Sequence, residues 1–288
     1  MPPQTLERMS KGFFIDPEYR AALERLGLTD MDGVFSFSGG QNLSKPDLAQ
    51  HRSRISFHIG SEQQGTFVTA YLKRYEAAPI IVQVKNWICH RRLQSLAQCE
   101  FETARDLQAV GIGTPQTIAY GWEWGLVGEK RSFVITRGIS NAQALERRLP
   151  DCFTEDVKRG RLQERRSFIA ALAGFVRKFH AAGWCHRDLY LSHIFYDGSG
   201  RFYLIDLARA FRPIVLRRRY RIKDIAQLFY SAPGRYFTRT DRLRFYLAYV
   251  GRRKLNKTDK ALIRRVLRRA IRMARHDERH GRQAPFAQ

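Results

Sequence analysis

Two aspartates, Asp188 and Asp206, have the residue type and setting for chemistry on a phosphate. Asp188 closes the tripeptide His186-Arg187-Asp188, directly after a segment with helical apolar spacing, and Asp206 follows the apolar run of residues 202–205. A carboxylate beside a hydroxyl can accept its proton, and carboxylate oxygens are ligands that Mg²⁺ prefers. The pair therefore suits phosphoryl transfer, a reaction in which one carboxylate acts on a hydroxyl and another holds a metal ion.

The order of these residues matches the catalytic arrangement of the protein-kinase fold, in which H-R-D, a short hairpin and an aspartate after a strand follow one another. That fold also places a lysine on a strand, where it binds the phosphates of ATP, and pairs it with a glutamate on the next helix. Lys73, at the end of strand 67–73, and Glu100, early in the following helix, fill these places. The alternatives are Lys85, at the end of residues 80–85, which also resemble a strand, and Glu102.

The nucleotide base should meet the chain where the two lobes of such a fold join. The strand 132–136 ends there, and Ile135, Thr136 and Arg137 are the residues whose backbone would reach the adenine. Thr136 and Arg137 are therefore predicted to contribute to cofactor binding.

Several positions depart from the ordinary protein-kinase pattern. His193 stands where the pattern has a metal-binding asparagine, and Leu-Ala rather than Phe-Gly follows Asp206. Because an imidazole is a poor substitute for an oxygen ligand of Mg²⁺, His193 either joins the metal site or positions Asp188 or a phosphate. The sequence has no A-P-E triplet after Asp206, and Ser38–Asn42 is only a degenerate glycine-rich loop. The activation segment of a regulated protein kinase is thus not expected.

The elements that must carry these residues indicate an α+β protein. The first half predicts strands and one helix, and the second half is mainly helical. We therefore expect a protein-kinase-like two-lobe fold, with a small antiparallel β-rich N-terminal lobe over residues 1–136 and a larger helical C-terminal lobe over residues 137–288. The predicted segments are a hairpin of strands 54–59 and 66–75 around the turn 60–65, helix 98–110, strand 132–136, helix 165–180, a strand pair around the turn 198–200, and amphipathic helix 258–274.

The chain is strongly basic, with 51 Lys and Arg against 27 Asp and Glu and a net charge of +24. Such a surface attracts polyanions, although arginine-rich helices can also serve solubility alone. A hydrophobic content of 44% excludes a disordered chain despite this charge. The sequence shows neither the long apolar run of a membrane span nor the layout of a signal peptide, so a cytoplasmic protein is expected. The four cysteines lack C-x-x-C spacing and are predicted to be reduced.

The extended motifs resemble those of the lipopolysaccharide kinase (Kdo/WaaP) family. The resemblance rests on the runs Gly183–Phe195, Leu204–Ala210 and Tyr220–Ser231, in which His takes the asparagine position and I-D-L-x-R-A replaces the D-F-G region. It continues upstream through Glu100, Gly111–Gly121 and Ser132–Thr136, from about residue 50 to about residue 250.

The resemblance implies ATP- and Mg²⁺-dependent transfer of a phosphoryl group to a sugar hydroxyl of the lipopolysaccharide inner core, a heptose or Kdo, at the cytoplasmic face of the inner membrane. Carried over by position, Asp188 is the catalytic base in a loop with His186 and Arg187, and Asp206 is the metal ligand, with His193 as a second one. Lys73 and Glu100 form the phosphate-binding ion pair. Arg137 departs from the acidic residue that the family tends to have there, which leaves the adenine contacts in question.

Other interpretations stay open at this point. The same fold can phosphorylate a protein Ser, Thr or Tyr side chain or another small molecule, or can serve as an inactive module that binds anionic glycolipid. Asp224 is predicted either to brace the catalytic loop or to cap a helix. The basic cluster is predicted either to contact an acidic acceptor such as a lipid A-linked glycolipid or to be a solvated face, and it comprises Arg217, Arg218, Arg219, Arg221 and Lys223. The amphipathic helix from Thr258 is predicted either to contact an anionic membrane surface or to pack within its own lobe. Nucleic acid is not an expected partner.

Overall fold

The computed structural model describes residues 6–43, 51–61, 66–152, 162–281 and 283–285. Its backbone contacts divide the chain into two compact units. The first comprises residues 1–109 and 114–139, and the second comprises residues 110–113 and 140–288. Residues 62–65 of the predicted hairpin turn lie outside the described residues.

An antiparallel sheet of seven strands organises the first unit, in the order β1-β2-β6-β7-β5-β4-β3. β-branched and aromatic residues alternate along its long central strands, as a half-buried sheet requires. Its strands are β1 (Glu7–Ser10), β2 (Phe13–Ile15), β3 (Gln41–Asn42), β4 (Arg52–Ser61), β5 (Thr66–Glu76), β6 (Thr117–Trp124) and β7 (Glu129–Arg137). The predicted hairpin is β4 with β5, and the predicted strand 132–136 lies within β7.

The α-helices that accompany this sheet in the described part of the unit are α1 (Arg20–Arg25), α2 (Met31–Ser36), α3 (Ile80–His90) and α4 (Leu96–Ala109), and a 3₁₀ turn at Pro17–Tyr19 precedes α1. The predicted helix 98–110 corresponds to α4, which begins two residues earlier. The interpretation of residues 80–85 as a strand is wrong, because these residues form the first turns of α3. A short apolar run has no periodicity that distinguishes a strand from a helix.

One face of β5 belongs to the core, and the opposite face carries the predicted lysine. Ala70 and Leu72 are fully buried in a cluster with Phe13 and Phe133. Side chains alternate across a strand, so Lys73 projects from the other face of β5. β5 is hydrogen-bonded to β4 on one side and β7 on the other, which fixes the backbone that positions Lys73.

The second unit is mainly helical. A three-stranded antiparallel sheet, in the order β10-β9-β8, lies beside its helices. The predicted strand pair around residues 198–200 is confirmed as β9 with β10. The elements are β8 (Gln143–Ala144), α5 (Leu145–Cys152), α6 (Leu162–Ala181), β9 (Ile194–Tyr196), β10 (Phe202–Leu204), α7 (Arg217–Ser231), α8 (Arg239–Val250) and α9 (Lys257–Glu278), with short 3₁₀ turns at Leu191–His193 and Leu207–Arg209.

The apolar face of α9 packs within the second unit. Val266, Ala270 and Ala274 are buried at four-residue spacing, and the last two join Tyr230 of α7 in one cluster. Packing of this helix on its own lobe was one of the two interpretations of its sequence, and the structure confirms it. Among the described residues, no helix has the length and apolar content needed to cross a membrane.

Candidate active site

In the first unit, Lys73 and Glu100 form a partly buried ion pair. Lys73 Nζ lies 2.9 Å from Glu100 Oε1 and 3.0 Å from Oε2, and the side chains are 13% and 11% exposed. The buried Tyr75 hydroxyl donates to Glu100 Oε2 at 2.7 Å. Sequence reasoning missed Tyr75, although its position two residues after Lys73 places both side chains on one face of β5. The hydroxyl and ammonium groups together fix the carboxylate.

The two alternatives to this pair are elsewhere. Lys85 is exposed on α3. Glu102 accepts from Arg92 at 3.4 Å and from Gln98 at 3.2 Å, on the part of α4 that turns away from Lys73. Neither alternative takes part in the Lys73–Glu100 ion pair.

The predicted nucleotide-base segment lies at the end of β7. Thr136 pairs with Tyr71 of β5 and with Thr117 of β6. The Arg137 amide donates to the Gln116 carbonyl at 2.8 Å, which commits this amide to the sheet. The roles of Thr136 and Arg137 in adenine binding stay predictions.

A glycine in the degenerate loop allows two strands to approach closely. Gly40 has φ +130°, and a Cβ atom there would lie 2.3 Å from the Ser56 carbonyl oxygen of β4. No side chain fits at that distance, so residue 40 must be glycine for β3 to pair with β4.

In the second unit, the Asp188 carboxylate is surrounded by positive and polar groups. Arg209 Nη1 lies 2.8 Å from Asp188 Oδ2, and Lys223 Nζ lies 3.7 Å from Oδ1. The Gln227 amide donates to Oδ1 at 3.4 Å. Burial lowers the pKa of Lys223, and the Asp188 charge opposes this effect. The carboxylate is thus held in one orientation while remaining partly exposed.

One face of α7 holds the backbone of the loop that carries Asp188. The buried Asp224 carboxylate accepts from the His186 amide at 2.7 Å and from the Arg187 amide at 2.8 Å. Gln227 Oε1 accepts from the Leu189 amide at 3.3 Å, and Ser231 Oγ accepts from the Leu191 amide at 3.0 Å. The contacts at residues 224, 227 and 231 follow helical spacing.

Asp224 lies in the middle of α7, whose N-terminal cap position is Leu216. Its interpretation as a helix cap is therefore wrong, and its contacts are those of a brace. His180 Nε2 is a third partner, 3.2 Å from Asp224 Oδ2. Sequence reasoning missed Gln227 and Ser231, although their spacing from Asp224 was a readable signal.

His186 and Arg187 shape the loop ahead of Asp188. His186 is fully buried, its Nε2–H donates to the Ile205 carbonyl at 3.0 Å, and burial lowers its pKa. A buried imidazole with a lowered pKa is uncharged at neutral pH, so His186 contributes packing and one hydrogen bond. Arg187 has φ +71°, and its guanidinium lies 5.5 Å from the centre of the Phe211 ring.

His193 contacts the backbone of Asp188 and lies near the Asp206 carboxylate. Its Nδ1 is 2.8 Å from the Asp188 carbonyl oxygen and must donate, because a carbonyl only accepts. In the neutral form of the ring its Nε2 then carries the lone pair, 3.9 Å from Asp206 Oδ2. An imidazole lone pair beside a carboxylate is a donor set that fits a divalent cation. The residues present therefore fit a metal, and the tautomer of His193 suits a ligand.

The basic cluster predicted from the sequence does not act as one surface. The Arg221 guanidinium donates to the His180 carbonyl and the Lys223 ammonium donates to the Arg187 carbonyl, so both groups turn into the unit. Arg217, Arg218 and Arg219 are exposed. The cluster is thus part internal bracing and part open surface, which a count of charges along the sequence cannot separate.

The fold and the site residues define an α+β protein of the protein-kinase-like class. The profile of the lipopolysaccharide kinase (Kdo/WaaP) family matches residues 58–249, more than half of the chain. The chain belongs to this family, and the predicted resemblance is confirmed.

Named relatives agree with this membership. The chain is 29% identical over 196 residues to the lipopolysaccharide core heptose(I) kinase WaaP of Pseudomonas aeruginosa, a match that covers 64% of this chain and 71% of that protein. It is 29% identical over 221 residues to the protein of the same name from Escherichia coli (strain K12), covering 73% and 82%. A solved structure described as WaaP in complex with acyl carrier protein matches with a TM-score of 0.64 and 25% identity, over 87% of this chain and 95% of that chain.

Proposed function

We propose that this protein transfers the γ-phosphoryl group of ATP to a sugar hydroxyl of the lipopolysaccharide inner core. Family membership supports a kinase, and the names of the relatives support a heptose as the acceptor. The observation that carries the proposal is the braced loop around Asp188, with the carboxylate held by its neighbours and still accessible.

In the proposed reaction, Asp188 is the catalytic base. The acceptor hydroxyl gives its proton to a carboxylate oxygen of Asp188 and its oxygen forms the new bond to the γ-phosphorus. The bond from that phosphorus to the β,γ-bridging oxygen breaks, and ADP leaves. The work of the protein is positioning and neutralisation of charge. Arg209 and Lys223, which flank Asp188, offset the negative charge of the phosphoryl group.

Asp206 and His193 would hold the divalent cation, which neutralises the phosphate oxygens when bound. Lys73, oriented by Glu100 and Tyr75, would bind the nucleotide phosphates. Each assignment rests on donor chemistry: a carboxylate with an imidazole lone pair for the cation, and a fixed ammonium for the phosphates.

Replacing Lys73 by methionine should raise the KM for ATP about tenfold to a hundredfold, the effect of losing one charged hydrogen bond. Lys130→Met is the matched control, because Lys130 forms a surface ion pair with Glu123 at 2.8 Å in the same unit. Steady-state kinetics of both variants test the assignment. Equal KM values for the two would exclude Lys73 from phosphate binding.

Replacing His193 by asparagine should change the metal preference of the protein. An amide oxygen suits Mg²⁺ better than an imidazole does, whereas Mn²⁺ accepts both, so the ratio of Mg²⁺ to Mn²⁺ affinity should rise. Direct titration of Mn²⁺, with Mg²⁺ as competitor and a non-hydrolysable ATP analogue present, measures this ratio without turnover. Asp206→Asn should weaken the binding of both metals. An unchanged ratio would mean that His193 positions Asp188 instead.

The function is tested by transfer of labelled γ-phosphate from ATP to dephosphorylated core glycolipid from the source organism. Label should appear on the sugar with the wild type and be absent with Asp188→Asn. Label on protein or on a small-molecule hydroxyl would show that the acceptor is not a sugar of the core. A failure to bind ATP would favour the inactive glycolipid-binding module.

The proposed acceptor also indicates where the protein acts and which partners it contacts. A core sugar linked to lipid A is presented at the cytoplasmic face of the inner membrane, and we propose a peripheral contact of the basic unit with that surface. The solved relative adds acyl carrier protein as a candidate partner. A cavity of about 760 Å³ in the second unit supports this candidate, because its lining is mainly apolar and would accept an acyl chain; it includes Leu172, Leu228, Phe237, Phe245 and Val266.

A further inference from the structure

A groove lined by arginines runs between α7 and α9 of the second unit. Its volume is about 430 Å³. Two arginines come from α7 and four from α9, and one apolar side chain comes from α7 and one from the residue that precedes it. The lining consists of Arg218, Arg219, Arg265, Arg268, Arg269 and Arg272, together with Leu216 and Ile222.

Packing of α9 determines which of its side chains line the groove. Arg265, Arg268, Arg269 and Arg272 recur at three- and four-residue steps and so share one helical face. The buried residues Val266, Ala270 and Ala274 hold another face of the helix against the unit. The packing of α9 therefore fixes the backbone positions from which these four arginines line the groove.

These six arginines differ from others in the same unit by their partners. Arg165 and Arg252 contact the buried carboxylates of Asp241 and Asp259 at 2.7 and 2.8 Å. Within the described residues, no ion pair involves any of the six groove arginines, and no acidic residue lines the groove. Like charges this close repel, and burial together with the charges of Arg219 and Arg272 lowers the pKa of Arg269. A bound anion would relieve that repulsion.

The groove continues along α9. A second depression of about 520 Å³ shares Arg268 and Arg272 with the first and adds Arg275 and Arg279. Guanidinium groups bind phosphate through paired N–H donors, and a phosphomonoester carries nearly two negative charges. A track of this length has room for more than one phosphate group.

The segment before α7 indicates where such phosphates would come from. Ile214, Val215 and Leu216 are 56%, 72% and 58% exposed, and Leu216 also lines the groove. Leu216 adopts φ +58°, a conformation that is costly for a branched side chain. Three exposed apolar side chains gain nothing from a small dissolved anion, but beside phosphate groups they can enter the apolar layer of a lipid surface.

We propose that the α7–α9 groove binds phosphomonoester headgroups of an anionic lipid surface, with Ile214–Leu216 inserted beside them. This site is distinct from the residues assigned to phosphoryl transfer, and it deepens the proposed peripheral contact by naming its residues and its ligand.

The test is binding of the full chain to phosphatidylcholine vesicles that contain phosphatidic acid, measured by co-sedimentation. Vesicles with phosphatidylglycerol at equal surface charge present phosphodiesters for comparison. The variant Arg265→Gln, Arg268→Gln, Arg272→Gln should bind phosphatidic acid vesicles about a hundredfold more weakly, the combined contribution of three basic side chains near an anionic surface.

The matched control is Arg253→Gln, Lys254→Gln, Lys260→Gln, which removes the same charge from exposed positions outside the groove. It should lose less than about threefold in affinity, because none of its three side chains lines the groove. Equal losses in the two triple variants would overturn the proposal, since binding would then depend on net charge alone. Equal affinity for the two vesicle types would also overturn it.

Further binding measurements distinguish a lipid headgroup from a soluble phosphate as the ligand. Ile214→Ser with Val215→Ser should weaken vesicle binding and leave binding of inorganic pyrophosphate unchanged. Pyrophosphate binding without any vesicle binding would assign the groove to a soluble ligand and would overturn the proposed lipid site. A different outcome is that acyl carrier protein binds the wild type but not the triple groove variant, while neither of these two proteins binds vesicles. That result would overturn the lipid site and assign the groove to an acidic protein.

Transfer to a water-soluble, deacylated core acceptor keeps this result separate from the proposed activity. The groove variant should retain the wild-type rate with that acceptor, because none of its residues is assigned to the reaction. Loss of vesicle binding with intact transfer supports the lipid site. Intact vesicle binding in a protein that transfers nothing would count against the kinase proposal alone.

Discussion

Asp188→Asn should lower the turnover number by about 10² to 10⁴, the contribution that a positioned base makes to proton transfer. The amide is nearly the same size as the carboxylate but cannot take the proton of the acceptor hydroxyl. The Gln227 contact and the backbone brace from Asp224 do not depend on the Asp188 charge, so the loop should keep its shape. The measurement is single-turnover transfer of labelled phosphate to the core acceptor.

Nucleotide affinity separates loss of the base from loss of the site. Asp188→Asn should bind a non-hydrolysable ATP analogue as tightly as the wild type, measured by calorimetry. Arg209→Gln is a useful companion, because it removes the cation 2.8 Å from Asp188 and leaves the base in place. Turnover by Asp188→Asn within a few fold of the wild type would contradict the proposed mechanism.

Asp224→Ala should impair both stability and catalysis. It leaves the buried amides of His186 and Arg187 without acceptors, at a cost of about 1–3 kcal/mol for each unsatisfied group. We therefore expect the free energy of unfolding to fall by roughly 2–6 kcal/mol. Denaturant titration measures this loss. Since Asp188 follows these amides directly, transfer should fall as well under conditions where the variant remains folded.

Graded variants separate the brace from general instability. Ser231→Ala removes only the acceptor for the Leu191 amide and should give a smaller loss of both quantities. Asp259→Asn also alters a carboxylate that accepts from a backbone amide, in the capping box of α9. That variant should lose stability with an unchanged turnover number. If Asp224→Ala behaved in the same way, Asp224 would have no role in positioning Asp188.

The sequence predicted the elements that depend on local patterns. The β4–β5 hairpin, α4 and the β9–β10 pair follow from alternation, helical spacing and turn residues. Residues 80–85 were predicted as a strand but form a helix, because a short run with four apolar residues fits a strand or a buried helical turn equally well. Only the packing of α3 decides between them.

The candidate site likewise contains residues that a local motif predicts and residues that only the contacts in the structure reveal. Lys73 and Glu100 follow from a motif, because strand and helix order is a property of the sequence. Tyr75 and Gln227 are recognised only when the partner of each side chain is known. The inward turn of Lys223 likewise depends on the carbonyl that it meets, and nothing in a run of basic residues distinguishes that lysine from its exposed neighbours.

Helix α7 takes part in two kinds of contact. Arg218 and Arg219 face the groove, and Asp224, about five residues or 8 Å farther along the helix axis, holds the catalytic loop. A helix moves largely as a rigid rod, so a ligand that tilts its first turn also displaces its middle. Such coupling is reciprocal: if an occupied groove favours one setting of the loop, an acceptor that favours the same setting must tighten the groove by the same factor. Lipid affinity measured with and without acceptor would then report the coupling free energy directly.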